Sequence, residues 1–147
     1  MKILFVCTGN TCRSCMAEAI FNNISDIEDV EAYSAGISIV PGSKTSRNTA
    51  ILVKEKLGVD ISERNAVQLT EELLRESDLI LTMTYYMKEM ISKAFSEYKN
   101  KVYSLNEYIG LKDDVLDPYG GDMETYKATF DVLSKSVELL LHKLKGR

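Results

Sequence analysis

Four short apolar runs, at Lys2 to Val6, roughly Val30 to Ser34, Leu79 to Met83 and Lys101 to Ser104, are separated by stretches long enough to hold a helix. Runs of that length suit strands buried on both faces, and strands joined through helices run parallel. The intervening segments carry helical stripes. Met16, Ala17, Ala19, Ile20 and Ile24 give a first helix an inward face; Ala50, Val53 and Leu57 do so for a second, which Gly58 is placed to end. Thr70-Glu71-Glu72-Leu73 reads as a helix start with its acidic residues at the positive end of the dipole. A final helix from about Met123 to Leu144 sets Phe130, Leu133, Val137, Leu140 and Leu144 on one side. The pattern predicts an α/β fold: a doubly wound, four-stranded parallel sheet with helices on both faces and a site at the carboxyl ends of the strands. A chain of 147 residues with two prolines, no repeat and no low-complexity tract suits one domain over residues 1–147.

The first run ends in Cys7-Thr8-Gly9-Asn10-Thr11-Cys12-Arg13-Ser14, with Ser14 placed to open the helix that follows. A loop between a strand and a helix aims several backbone N–H groups at one point, with the positive end of the helix dipole behind them. That suits an oxyanion of phosphate size. Gly9 gives the backbone freedom to wrap an anion, and Asn10 tolerates left-handed torsions better than most residues. Arg13 offers a planar fork that grips two phosphoryl oxygens at once. Taken singly, Cys7 reads as a small core hydrophobe and Arg13 as a solvated charge. Together they make a nucleophile inside an anion cradle. In that setting Cys7 is expected as a thiolate that attacks phosphorus in line to form phosphocysteine, with Ser14 donating its hydroxyl to the sulfur. The spacing of a Walker loop is absent.

This loop resembles that of the low-molecular-weight protein tyrosine phosphatases, in which a cysteine, five residues, an arginine and a serine or threonine stand near the N-terminus. Val115-Leu116-Asp117-Pro118-Tyr119-Gly120-Gly121 resembles a second family element, and Met16-Ala17-Glu18-Ala19 and Ser34-Ala35-Gly36 are weaker matches in the same order. The resemblance implies that Asp117 is the general acid, protonating the leaving group and later deprotonating the hydrolytic water. Asp113 and Asp114 compete for that role by proximity alone. Pro118 stiffens the loop. The likeness further suggests Tyr119 as a wall of the substrate slot and Thr11 as the residue that narrows the substrate. Threonine there is similar to the bacterial protein arginine phosphatase branch, whereas tyrosine phosphatases of this type often carry a bulky aliphatic residue. A hydroxyl suits a polar phosphoguanidinium better than a methyl-lined wall does. Phosphoarginine is therefore the expected substrate, ahead of phosphotyrosine. Phosphorylated proteins are the expected partners, inorganic phosphate the product, and neither cofactor nor metal is expected. One departure from the usual pattern is Cys15, where many relatives have proline.

Cys7, Cys12 and Cys15 are all the cysteines present, an odd and clustered set that suggests no disulfide framework. The opening apolar stretch is too short for a signal peptide and no segment suits a membrane span, so a cytoplasmic monomer is expected. Cys12-Arg13-Ser14-Cys15 has a Cys-x-x-Cys spacing, but a structural zinc site wants four ligands and the only histidine, His142, lies far along the chain. A Cys7–Cys12 disulfide is the expected thiol switch, with Cys15 left open as a competitor. Arsenate reductases that share the loop use further cysteines on a distant helix, and Leu79 to Met90 contains none. A phosphoprotein-binding or redox-sensing module without turnover is disfavoured because nucleophile and acid are both present. The net charge of −4 and dispersed basic residues argue against a nucleic-acid binder. Lys44 and Arg47 read as solvated helix charges, and the Ile37 to Thr45 loop is expected to shape access to the pocket.

Overall fold

In the computed structural model, which describes residues 1–146, the first apolar run forms β1 (Lys2–Cys7) near the middle of the sheet. It pairs in parallel with β2 (Glu31–Gly36) on one side and with β3 (Leu79–Thr82) on the other, and β3 pairs with β4 (Val102–Ser104). The order is β2-β1-β3-β4. Chain connections leave β1 toward one edge and return to build the other, so the topological switch point falls between β1 and β3. The phosphate-sized loop follows β1 directly, at the carboxyl end of that crevice.

Strand alternation sorts the core into two layers. Ile3, Phe5 and Cys7 of β1, with Leu79 and Leu81 of β3, face a large cluster. Phe21 on α1 (Arg13–Ile24), Leu52 and Val53 on α2 (Arg47–Leu57), and Leu133, Val137 and Leu140 on the long carboxyl-terminal helix belong to it too. Leu4, Val6 and Ile80 face the opposite way, toward Leu74 of α3 (Glu71–Glu76) and Ile91 of α4 (Tyr85–Ala94). A 3₁₀ turn (Ser96–Lys101) leads into β4, α5 (Leu105–Tyr108) follows it, and the long helix is α6 (Met123–Lys145). The doubly wound α/β reading therefore holds.

Boundaries differ where local chemistry intervenes. The second strand starts one residue later than its apolar run and continues to Gly36, and the third stops at Thr82. Ser14 does not open α1: the helix begins at Arg13 behind Cys12, without a side-chain cap, because the Ser14 hydroxyl is bonded to Cys7 instead. Ile24 is exposed rather than inward, since α1 is already leaving the core at its last turn. Leu57 and Leu144 pack at the margin of the large cluster. Gly58 closes α2 at φ 72°, and Thr70 caps α3 by accepting from the Leu73 N–H. No helix among the described residues is long and apolar enough to cross a membrane.

Candidate active site

Cys7 is the last residue of β1, and its sulfur faces two donors at the mouth of the sheet. The Asn10 backbone N–H points at Cys7 Sγ from 3.2 Å, and Ser14 Oγ lies 2.9 Å away. Ser14 Oγ itself accepts from Asn10 Nδ2 at 2.7 Å, which leaves the hydroxyl hydrogen free to point to the sulfur.

The left-handed torsion that wraps the loop falls on Asn10, at φ 57°, and not on Gly9. A network missing from the sequence reading holds it there. Asn10 Oδ1 accepts from Arg64 and from the Val67 N–H, while Asn10 Nδ2 donates to Ser34 Oγ as well as to Ser14. Arg64 also donates to Ser34 Oγ at 2.7 Å and pairs with Glu18 at 3.1 Å, and Ser34 donates to the same Glu18 oxygen at 2.6 Å. Asn10 and Ser14 are fully buried. They stand behind the cradle as its support, whereas Thr8, Gly9, Thr11, Cys12 and Arg13 line the open side.

That open side is a cavity of about 510 Å³. Its floor region is the loop from Cys7 to Arg13; one wall is Ser38, Val40, Ser43, Lys44 and Ser46, and the other is Asp117 with Tyr119. The Ile37 to Thr45 segment thus flanks the cavity as expected. Lys44 is no helix charge: it sits in the loop before α2, lines the cavity and pairs with Glu63 at 3.6 Å. Arg47 is exposed at the first turn of α2, and His142 is exposed on α6. A second cavity, of about 530 Å³, lies at the opposite end of the strands among Met1, Asp78, Lys101 and Tyr103, and no cysteine lines it.

Arg13 is buried, with Nη1 donating to the Val115 carbonyl at 2.9 Å and Nη2 3.6 Å from the Asp117 carboxylate. Of the three neighbouring aspartates only Asp117 reaches the cavity. Asp114 is engaged elsewhere, accepting from the Tyr85 N–H at the start of α4, and Asp113 is exposed. Asp117 is half exposed and accepts from the Tyr119 N–H in an Asx turn, with Pro118 between them. Tyr119 stands 78 % exposed and Val40 71 %, so the rim offers two uncovered apolar surfaces.

Cys12 is buried, and its sulfur lies 3.4 Å from Ser46 Oγ and 3.7 Å from the Tyr126 hydroxyl. Burial, then the contact with Cys12, pushes the Tyr126 phenol up to about 12, so it stays protonated. Cys15 is buried with its thiol directed at the Asn10 and Cys12 carbonyls, and burial pushes that thiol up. All three cysteines are free. Arg64, Ser46 and Tyr126 carry no local sequence signal for this site, because each arrives from a different part of the chain, whereas Glu18 and Ser34 lie in the two weaker family matches.

The family model of the low molecular weight phosphotyrosine protein phosphatases matches residues 2–147. The chain is 42 % identical to a protein-arginine-phosphatase of Bacillus subtilis, over 99 % of this chain and 97 % of that one. It is 41 % identical to the low molecular weight protein-tyrosine-phosphatase PtpB of Staphylococcus aureus, again over 99 % and 97 %. Among solved structures, the YwlE arginine phosphatase captured as a C7S mutant with a phosphorylated active site serine superposes with a TM-score of 0.92. That pair is 41 % identical and covers 99 % of this chain and 96 % of the other. With cradle, cavity and full-length likeness in agreement, the chain belongs to the low molecular weight phosphotyrosine protein phosphatase family, whose members are cysteine-dependent hydrolases of phosphoproteins.

Proposed function

We propose that residues 1–147 form one phosphatase domain that removes phosphate from arginine in proteins through a phosphocysteine intermediate. The observation that carries this reading is the shared cavity, which Cys7, Arg13, Asp117 and Thr11 all line. The likeness to a protein-arginine-phosphatase supports the choice of substrate.

In the first step Cys7 Sγ attacks phosphorus, the P–N bond breaks, and Asp117 gives its proton to the departing guanidine nitrogen. Arg13 and the loop N–H groups stabilise the equatorial oxygens as charge develops. In the second step Asp117 takes a proton from water, the water oxygen attacks phosphorus, and the S–P bond breaks to release inorganic phosphate. Ser14 stabilises the departing thiolate through the 2.9 Å contact. Thr11 meets the polar guanidinium side of the substrate with its hydroxyl, and Tyr119 forms one wall of the slot. A phosphotyrosine reading draws on a specific feature too: Val40 and Tyr119 offer apolar surface to an aromatic ring.

Thr11→Ile tests the assignment. The arginine reading expects kcat/KM on a phosphoarginine peptide to fall by about ten- to a hundredfold while a matched phosphotyrosine peptide is turned over as well or better. An unaltered preference would remove Thr11 from specificity.

The enzyme acts as a monomer, and in the cytoplasm, a compartment in keeping with three free cysteines. Cys12 is the partner that captures an oxidised Cys7 in a disulfide. Cys15, buried with its thiol pushed up and turned to carbonyls, is the weaker competitor.

A further inference from the structure

Asn106 sits on α5, is buried, and takes no part in the cavity, yet its side-chain amide bonds α6 with one end and the loop after α5 with the other. Its Oδ1 accepts from Ser136 Oγ on α6 at 2.7 Å. Its Nδ2 donates to the Asp113 carbonyl in the acid loop, and its own carbonyl accepts from the Leu111 N–H at 2.7 Å. A carbonyl can only accept, so the contact with Asp113 fixes which end of the amide faces the loop. Ser136 is fully buried and bonds to the other end.

The loop carrying Asp117 has no secondary structure between α5 and α6. It leaves at Ile109 and Gly110 and rejoins the fold at Asp122, the cap of α6. Asn106 binds the outgoing arm of this loop to α6, the same helix that anchors its return. Both ends of the loop are thus referenced to one rigid rod. Beyond Asp113, Val115 is pinned by donating to the Met83 carbonyl and accepting from Arg13, and the chain from Leu116 to Gly121 then runs exposed except at Pro118, which is buried. Asp117 hangs from that short arc.

We propose that Asn106, with Ser136, is a positioning residue that sets the placement of Asp117 over the Cys7 sulfur without touching substrate. The inference rests on Asp117 being the general acid. Small displacements of an acid from its productive geometry weaken proton transfer most for leaving groups that need it most.

The test compares kcat/KM for phenyl phosphate, a poor leaving group, with 4-nitrophenyl phosphate, a better one, in Asn106→Ala, Ser136→Ala, Asp117→Asn and the double variants with Asp117→Asn. Ser136→Ala is the milder change and carries the test if Asn106→Ala does not fold. Either single variant is expected to lose about tenfold on phenyl phosphate and clearly less on 4-nitrophenyl phosphate. Competitive inhibition by inorganic phosphate should be unchanged, and neither variant should lower activity further once Asp117 is asparagine. Equal losses on both substrates, or a further loss in the Asp117→Asn background, would overturn the positioning role. If Asp117→Asn itself showed no dependence on the leaving group, the acid assignment would fall instead.

Discussion

Gly36 shows how a single hydrogen atom in place of a methyl group shapes the site. It ends β2 opposite Cys7, and a Cβ there would stand 2.7 Å from the Thr8 carbonyl oxygen, 2.7 Å from Ile39 Cγ2 and 3.0 Å from the Asn10 backbone nitrogen. Two of those atoms are backbone of the phosphate loop, so they move only if the cradle moves. Gly36→Ala is expected to destabilise the fold by about 1–3 kcal/mol and to weaken phosphate inhibition, measured by thermal unfolding and by the inhibition constant. An unchanged inhibition constant would mean that the cradle does not depend on this close approach. Cys7, Arg13 and Ser14 were legible because their spacing is local and their chemistry is distinctive. Arg64 was not, because it reaches Asn10 only after α2 and the loop behind it bring residues 54 positions apart together. The expectation that Ser14 caps α1 failed for a related reason: a hydroxyl that bonds a sulfur in the loop is not available to the helix.

At the level of elements, helix ends decide how the functional loops are held. Asp122 caps α6 by accepting from the Thr125 N–H and hydroxyl, both at 2.9 Å, and so marks where the acid loop stops. The backbone bond from Thr125, then its hydroxyl, holds the Asp122 carboxyl below its ordinary value. A carboxyl lowered on folding contributes stability that is present above its unfolded value of about 4 and is lost as pH falls through the lower folded value. Asp122→Ala should therefore lower the unfolding temperature at neutral pH, with the gap to the parent protein narrowing as pH falls below about 4. A gap that stays constant with pH would show that the cap acts only as a neutral hydrogen bond. The central strands β1 and β3 were readable from apolar runs because burial on both faces leaves little room for polar residues. The extension of β2 through Ala35 and Gly36 was not, since those residues belong to the strand through their pairing with Val6 and Cys7 rather than through hydropathy.

For the whole molecule, the doubly wound order places the crevice between β1 and β3, and the chain converges on it from three distant regions: the loop after β1, the wall before α2 and the arm before α6. That convergence makes the cavity a joint product of the fold, although Cys7 and Arg13 sit within seven consecutive residues. Choice of substrate belongs to this scale, because Thr11, Tyr119 and Val40 meet only across the assembled cavity. Under the proposed function, the Thr11 hydroxyl is the group at this cavity that tells a guanidinium from a phenyl ring as the group departing from phosphorus. The most direct measurement is kcat/KM of the parent protein on peptides matched in sequence that carry phosphoarginine or phosphotyrosine, with Cys7→Ser as the inactive reference. The account predicts faster turnover of phosphoarginine and no turnover by Cys7→Ser; equal or faster turnover of phosphotyrosine would contradict the arginine assignment, and activity in Cys7→Ser would contradict the mechanism.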